Sequence, residues 1–250
     1  MALRLSTGLR NKLNAGGSLK KSLHDGVIRI YTGSQPAAAD DAVTGTLLAS
    51  ITLVSGALTE GTESTPQRDT ATFTYGSNGD IYKLVVNGNI YSYTTIAGDD
   101  APKTAEALAK LVDKDNDVVV GRNSNVIYVS AKHPGVTYTL ANTGTTTPGN
   151  LVLANTQANV RLNGLQFGAV TAGVLTKEAG VWSGVAVATG TAGWFRFQGV
   201  GIDDDTLSTV FVRLDGNIAT SGANMNMSST SITSGATQTV DTFSVTEPAS

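Results

Sequence analysis

Gly193-Trp194-Phe195-Arg196-Phe197 concentrates more aromatic side chains than any other stretch of this chain. Read with the two-residue period of a strand, it places Trp194 and Arg196 on one face and Phe195 and Phe197 on the other. Either face suits a core. With the phenylalanines inward, Trp194 and Arg196 face solvent and have the composition of an interface hot spot. The alternative is a Trp194 packed beneath a helix or a second domain. A lone Trp beside an Arg also fits sugar stacking.

Similar short runs surround it. Val27 to Thr32 and Leu47 to Val54 read as strands, as do Leu165 to Phe167, Gly173 to Thr176, Val181 to Val187, Thr209 to Leu214 and Val240 to Thr246. Met225 and Met227 mark one more. Runs spaced by roughly ten residues, with Gly, Asn and Asp between them, predict an antiparallel sandwich or barrel. Composition agrees: 34 of the 250 residues are Thr and 28 are Gly, whereas only 15% are charged. Thr and Val suit strands and Gly suits the turns between them, so few exposed helices are expected.

Two regions differ in texture. Residues 1–26 hold Arg4, Arg10, Lys12, Lys20 and Lys21 against Asp25, a balance of +4 within a chain of net charge −3. Ser18 with Leu19, Leu23 and a closing Gly26 has the grammar of a capped helix, and Ser6 to Leu13 reads as another turn or two. This basic arm, with Arg4, Leu5, Leu9, Arg10 and Leu13 as contact candidates, either docks on another molecule or caps the chain's own sheet. Residues 69–160 are the second region. Thr70 to Tyr75 alternates with the period of a strand, and Tyr82 to Val86, Asn87-Gly88 and Ile90 to Thr94 form a hairpin signal, because Asn-Gly accepts the positive φ of a type I′ turn. Asp99, Asp100 and Pro102 announce a helix over Thr104 to Asp113. Strands follow at Val118 to Val120, Val126 to Ser130 and Tyr138 to Leu140. The order β-β-β-α-β-β-β predicts a small α+β domain inserted into the β domain (27–68 and 161–250), with polar linkers at 56–68 and 141–160.

Further motifs carry a resemblance. Leu3-Arg-Leu-Ser-Thr-Gly-Leu-Arg-Asn11 and Gly26-Val-Ile-Arg-Ile-Tyr-Thr-Gly-Ser-Gln-Pro36 stand near the N-terminus. Gly164-Leu-Gln-Phe-Gly168, Gly190 to Phe197, Arg213-Leu-Asp-Gly216, Ser221 to Ser229 and Phe243-Ser-Val-Thr246 come later. Together they resemble a group of small virion structural proteins of tailed bacteriophages, over residues 1–60 and 161–250. The middle, with Leu84-Val-Val-Asn-Gly88, Tyr91-Ser-Tyr93 and Ala97-Gly-Asp99, looks like a module recurring in phage tail and other surface proteins. The resemblance implies a jelly-roll-like sandwich and a non-enzymatic, homo-oligomeric part of the virion, assembled in the host bacterial cytoplasm. Head decoration on the major capsid protein comes first, and a tail or baseplate component is the alternative. A carbohydrate-binding module for host-surface glycans is a third reading from a different class.

The chemistry-bearing residues are few. With no Cys there is neither a thiol nucleophile nor a Cys-ligated metal, and two His exclude a multi-histidine site. His24 reads as a helix-end cation and His133, before Pro134, as a turn residue. Asp203, Asp204 and Asp205 are the densest carboxylates and the only metal candidates. They are adjacent rather than alternating and lack a following bidentate Glu, so a solvated loop is the expectation. Gly199-Val-Gly201 lacks the third glycine and the helix of a nucleotide loop. No cofactor is expected, and neither a membrane nor nucleic acid is an expected partner. No apolar run approaches membrane-spanning length, and the h-region of a secretory signal is missing.

Overall fold

The computed structural model describes residues 3–147 and 150–246. Met1 and Ala2 of the arm, Pro148 and Gly149 of the expected second linker, and residues 247–250 of the β domain lie outside them. The chain opens with β1 (Arg4–Leu5), α1 (Thr7–Asn14), α2 (Leu19–Ser22), β2 (Val27–Thr32) and β3 (Leu47–Leu53). Next come β4 (Arg68–Phe73), β5 (Ile81–Val86), β6 (Asn89–Thr94), α3 (Ala101–Val112), β7 (Val118–Asn123), β8 (Val126–Ala131), β9 (Leu140–Ala141) and β10 (Leu151–Gln157). The last part holds β11 (Phe167–Thr171), β12 (Val174–Lys177), β13 (Trp182–Val185), β14 (Gly190–Gln198) and β15 (Arg213–Ala219). It ends with β16 (Met225–Asn226), β17 (Ser231–Ile232), β18 (Thr237–Val240) and β19 (Ser244–Thr246). With 41% strand and 10% helix, the protein is mainly β, as its Thr-rich composition predicts.

The chain divides into two compact units, Met1–Glu63 with Leu162–Ser250, and Ser64–Arg161. In the first unit a nine-stranded sheet has the order β1-β15-β14-β2-β3-β13-β18, with β16 added parallel to β15 and β17 antiparallel to β14. A three-stranded sheet runs β11-β12-β19. Strand β14 lies between β2 and β15, with Phe195 opposite Ile30 and Gly216, and Phe197 opposite Ile28 and Leu214. These side chains form one core with Phe167, Leu175, Phe243 and Val245 of the smaller sheet and its flank. Phe167 stacks on Phe197 at 5.5 Å, and Phe243 meets Phe195 edge-on at 5.7 Å. Each ring so buried contributes about 1.5–3 kcal/mol of transfer free energy. The arrangement is sandwich-like.

The basic arm is part of this unit. Ser6 caps α1 by accepting from Leu9 N, and Ser18 caps α2 by accepting from Lys21 N, as the sequence predicts. Leu9 and Leu23 are completely buried in the shared core, and β1 pairs with β15. Of the two fates open to the arm, packing on its own sheet is therefore the one adopted. A detachable docking tail is ruled out for Leu9, and the reason is the burial of Leu9 and Leu23 in the core, with the half-buried Leu3, Leu5, Leu13 and Leu19 packed against it.

In the second unit β10-β4-β8-β7 form one sheet and β6-β5-β9 another, with α3 sharing their core through Ala105, Leu108 and Val112. Asn87 (φ 49°) and Gly88 (φ 87°) make the expected turn between β5 and β6. Asp100 caps α3 by accepting from Lys103 N, with Pro102 in the first turn. The sequence reading of 141–160 as a linker needs correction. Leu151–Gln157 is a full strand on β4, with Leu151 opposite Phe73. The unit's two ends meet at a bridge between Thr65 and Val160.

Candidate functional site

Strands β2, β14 and β15 of the first unit each place polar groups at the same two-residue period. Arg29 and Tyr31, Trp194 with Arg196 and Gln198, and Arg213 with Asp215 all fall on the face opposite Phe195 and Phe197. This face is not open to solvent. Trp194 and Arg196 are both 0% exposed, which overturns their assignment as a surface pair. The physical reason is the loop between β2 and β3, whose carbonyls cover the face and receive its donors. Trp194 Nε1 donates to Thr44 O at 3.2 Å, and the Trp194 ring stacks on Tyr31 at 4.6 Å. Arg196 Nη2 donates to Asp41 O at 3.0 Å, and Arg4 donates to Pro36 O.

Carboxylates complete the layer. Arg196 grips Asp215 with two bonds, from Nε at 2.9 Å and Nη2 at 2.8 Å. Arg213 does the same to Asp203, at 2.7 and 2.6 Å, and also donates to Thr206 O. Arg29 bridges Asp205 and Glu60, both at 2.5 Å. Asp205 further accepts from Tyr31 OH and Gln198 Nε2. Bidentate arginine–carboxylate pairs are among the stronger charge-assisted contacts, and they fix direction as well as distance. Burial pushes the Asp215 carboxyl up to about 6, against the opposing pull of Arg196. Burial also raises the Tyr31 phenol, and the negative charge of Asp205 raises it further.

The three aspartates Asp203, Asp204 and Asp205 are thus neither a metal cluster nor a wholly solvated loop. Asp203 and Asp205 turn inward to separate arginines, while Asp204 stays outside and accepts from Thr206 N and Oγ1. Among the described residues no three His, Cys, Asp or Glu side chains stand where one ion could be held. His24 lies past the end of α2, with Nε2 3.4 Å from Asp25 Oδ2. His133 lines a 310 Å³ surface depression of the second unit with Asn87, Asn116, Asp117, Lys132 and Val136. Asn87 Nδ2 already donates to Asp117 there.

Of the arm residues, Leu9 is core, Leu5 is half-buried in β1, and Arg10 is exposed and donates to Thr7 Oγ1. Leu13 is half-buried and lines a groove of about 610 Å³ with Leu19, Val170, Leu175 and Val245. The sequence offered one unused signal for the ionic layer. Arg29, Arg196 and Arg213 each interrupt an apolar strand at a position sharing its face with a Tyr, Trp or Asp. Chemically the layer can clamp loops onto a sheet, since each of its carboxylates already faces a guanidinium. Among the described residues no helix is long and apolar enough to cross a membrane. No known family model matches the chain, and no curated protein matches it.

Proposed function

We propose that this chain is a non-enzymatic structural component of a tailed-phage particle, in the first instance a head-decoration or cement protein. The observation that carries the proposal is the use made of its charged residues. Arg29, Arg196 and Arg213 and their carboxylates hold loops rigid against a sheet, which is what a static, repeated building block requires. The short motifs resembling virion proteins lie in that same unit. Each copy would offer a modest contact, and repetition over a symmetric lattice would convert weak contacts into lasting attachment. The exposed Arg10, Lys12 and Lys21 on the outer side of the folded arm are the residues offered to the particle. Glycan stacking on Trp194 finds no support, since that ring is covered.

The test is the copy number in purified particles, measured by quantitative mass spectrometry against the major capsid protein. Comparable copy numbers are expected. A handful of copies would move the protein to the tail or baseplate, and absence from the particle would overturn the virion reading altogether.

A further inference from the structure

The loop joining β14 to β15 carries three aliphatic side chains outward on a rigid frame. Ile202 is 72% exposed, Leu207 71% and Val210 78%. Single exposed aliphatics are ordinary, but three on one loop that cannot move away from water are not. The loop is pinned at several points. Asp203 is gripped by Arg213, Asp205 by Arg29 and Gln198, and Ser208 N donates to Asp40 O at 2.8 Å. Ser208 Oγ in turn accepts from Val210 N and Phe211 N. A surface held this way gives up little conformational entropy on binding. Its exposed charge is the carboxylate of Asp204.

The same unit carries a surface of opposite character. The groove of about 610 Å³ is lined by Leu13, Leu19, Val170, Leu175 and Val245, with Lys20, whose Nζ is held by a bond to Gly168 O at 2.8 Å, beside them. None of its lining residues is acidic, and Lys12 and Lys21 nearby in sequence are exposed. Helix α1 links the two surfaces. At one end Gly8 lies so close to the loop that a Cβ there would sit 2.1 Å from Val210 O. At the other end Leu13 lines the groove.

We infer that these surfaces are the two halves of one contact between copies of this chain: the loop of one copy, with Ile202, Leu207, Val210 and Asp204, enters the lysine-edged groove of the next. The occupant is a second copy because the match is double. Aliphatic knobs meet an aliphatic groove, and the carboxylate beside the knobs meets the ammonium beside the groove. Such a contact is head-to-tail, so it builds a ring where the rotation closes and a filament where it does not. The inference goes beyond the virion reading and concerns the free chain, so either can fail alone.

The experiment is sedimentation velocity with light scattering on the full chain, from about 10 µM to about 1 mM. The wild type is expected to gain mass with concentration. A loop variant, Leu207→Asp with Val210→Asp, and a groove variant, Val170→Asp with Lys20→Glu, should each self-associate at least about tenfold more weakly. Mixed in equal amounts, the two should form a 1:1 dimer and stop, since one keeps only a groove and the other only a loop. Circular dichroism verifies folding. If a double variant does not fold, the single reversal Asp204→Lys at an exposed site takes its place, with the same expected direction. A wild type monomeric at the top concentration would overturn the inference, as would variants that associate like wild type or a mixture that does not pair.

Discussion

On one face of strand β14, Phe195 and Phe197 are buried by direct contact with other rings; on the other, Trp194 and Arg196 are buried by loops that the sheet itself holds down. The first face works by area and packing, with no direction imposed on what covers it. The second works by geometry. Removing guanidinium and carboxylate from water costs several kcal/mol per ion, and the pair recovers this only when the partner stands in the right place. The apolar face therefore supplies the larger share of stability. The ionic face decides which loop lies where.

Breaking either face, and the arm that serves the first, gives effects of graded size. Deleting residues 1–26 removes Leu9 and Leu23 from the core and strand β1 from β15, so the first unit should lose cooperative unfolding entirely, as followed by Trp fluorescence in urea. Asp215→Ala leaves Arg196 buried without its bidentate partner and should cost about 3–5 kcal/mol in the same measurement. Phe197→Ala should cost a similar 3–5 kcal/mol or so, through lost transfer energy and a cavity. The two losses differ in kind, however. Phe197→Leu should recover much of the second, and Asp215→Asn, which keeps a neutral acceptor for Arg196, should recover part of the first. Ser6→Ala is smaller, about 1–2 kcal/mol, since Ser6 Oγ accepts from Leu9 N and from Arg213 N.

A pH dependence should be confined to the ionic face. The Asp215 carboxyl titrates near 6 in the folded protein, raised by burial from an ordinary value of 3.8. Between those values the folded state binds a proton that the unfolded state does not. The group's contribution to stability is thus complete below the ordinary value and is lost as the pH rises through about 6. Asp204, lowered by its bonds from Thr206, acts in the opposite sense and only below its ordinary value. Denaturation midpoints measured from pH 7 to 4.5 should show the Asp215 contribution in wild type and lack it in Asp215→Asn.

Local features of the fold were legible. The caps at Ser6, Ser18 and Asp100 and the Asn87-Gly88 turn depend on a few adjacent residues, and all four stand where the sequence puts them. Strand β10 was not legible, because Leu151–Gln157 runs from four apolar residues into the polar Asn155, Thr156 and Gln157 without a two-residue alternation, and becomes a strand through pairing with β4, about eighty residues earlier in the chain. Strand β15 begins at Arg213, although the run Thr209 to Leu214 looked like the strand; Ser208 instead folds Val210 and Phe211 into the loop. The period-two reading of Trp194 and Arg196 was correct about which side chains share a face. It could not show what covers that face. The covering loop's carbonyls are some 150 residues away in sequence, and Asp203 and Asp205 reach their arginines only after folding. Aspartates standing together in sequence therefore read as one cluster, though the structure sends them to different partners.

A double-mutant cycle on Arg196 and Asp215 tests the structural role of the ionic layer most directly. Arg196→Met, Asp215→Leu and the double variant would be compared by urea denaturation, each with its spectrum of the Trp194 environment. The expected result is two severe single losses and a double variant more stable than either, with a coupling of about 2–3 kcal/mol or above. Single losses that simply add, with Trp194 unmoved, would contradict the claim that this pair clamps the loop onto the sheet.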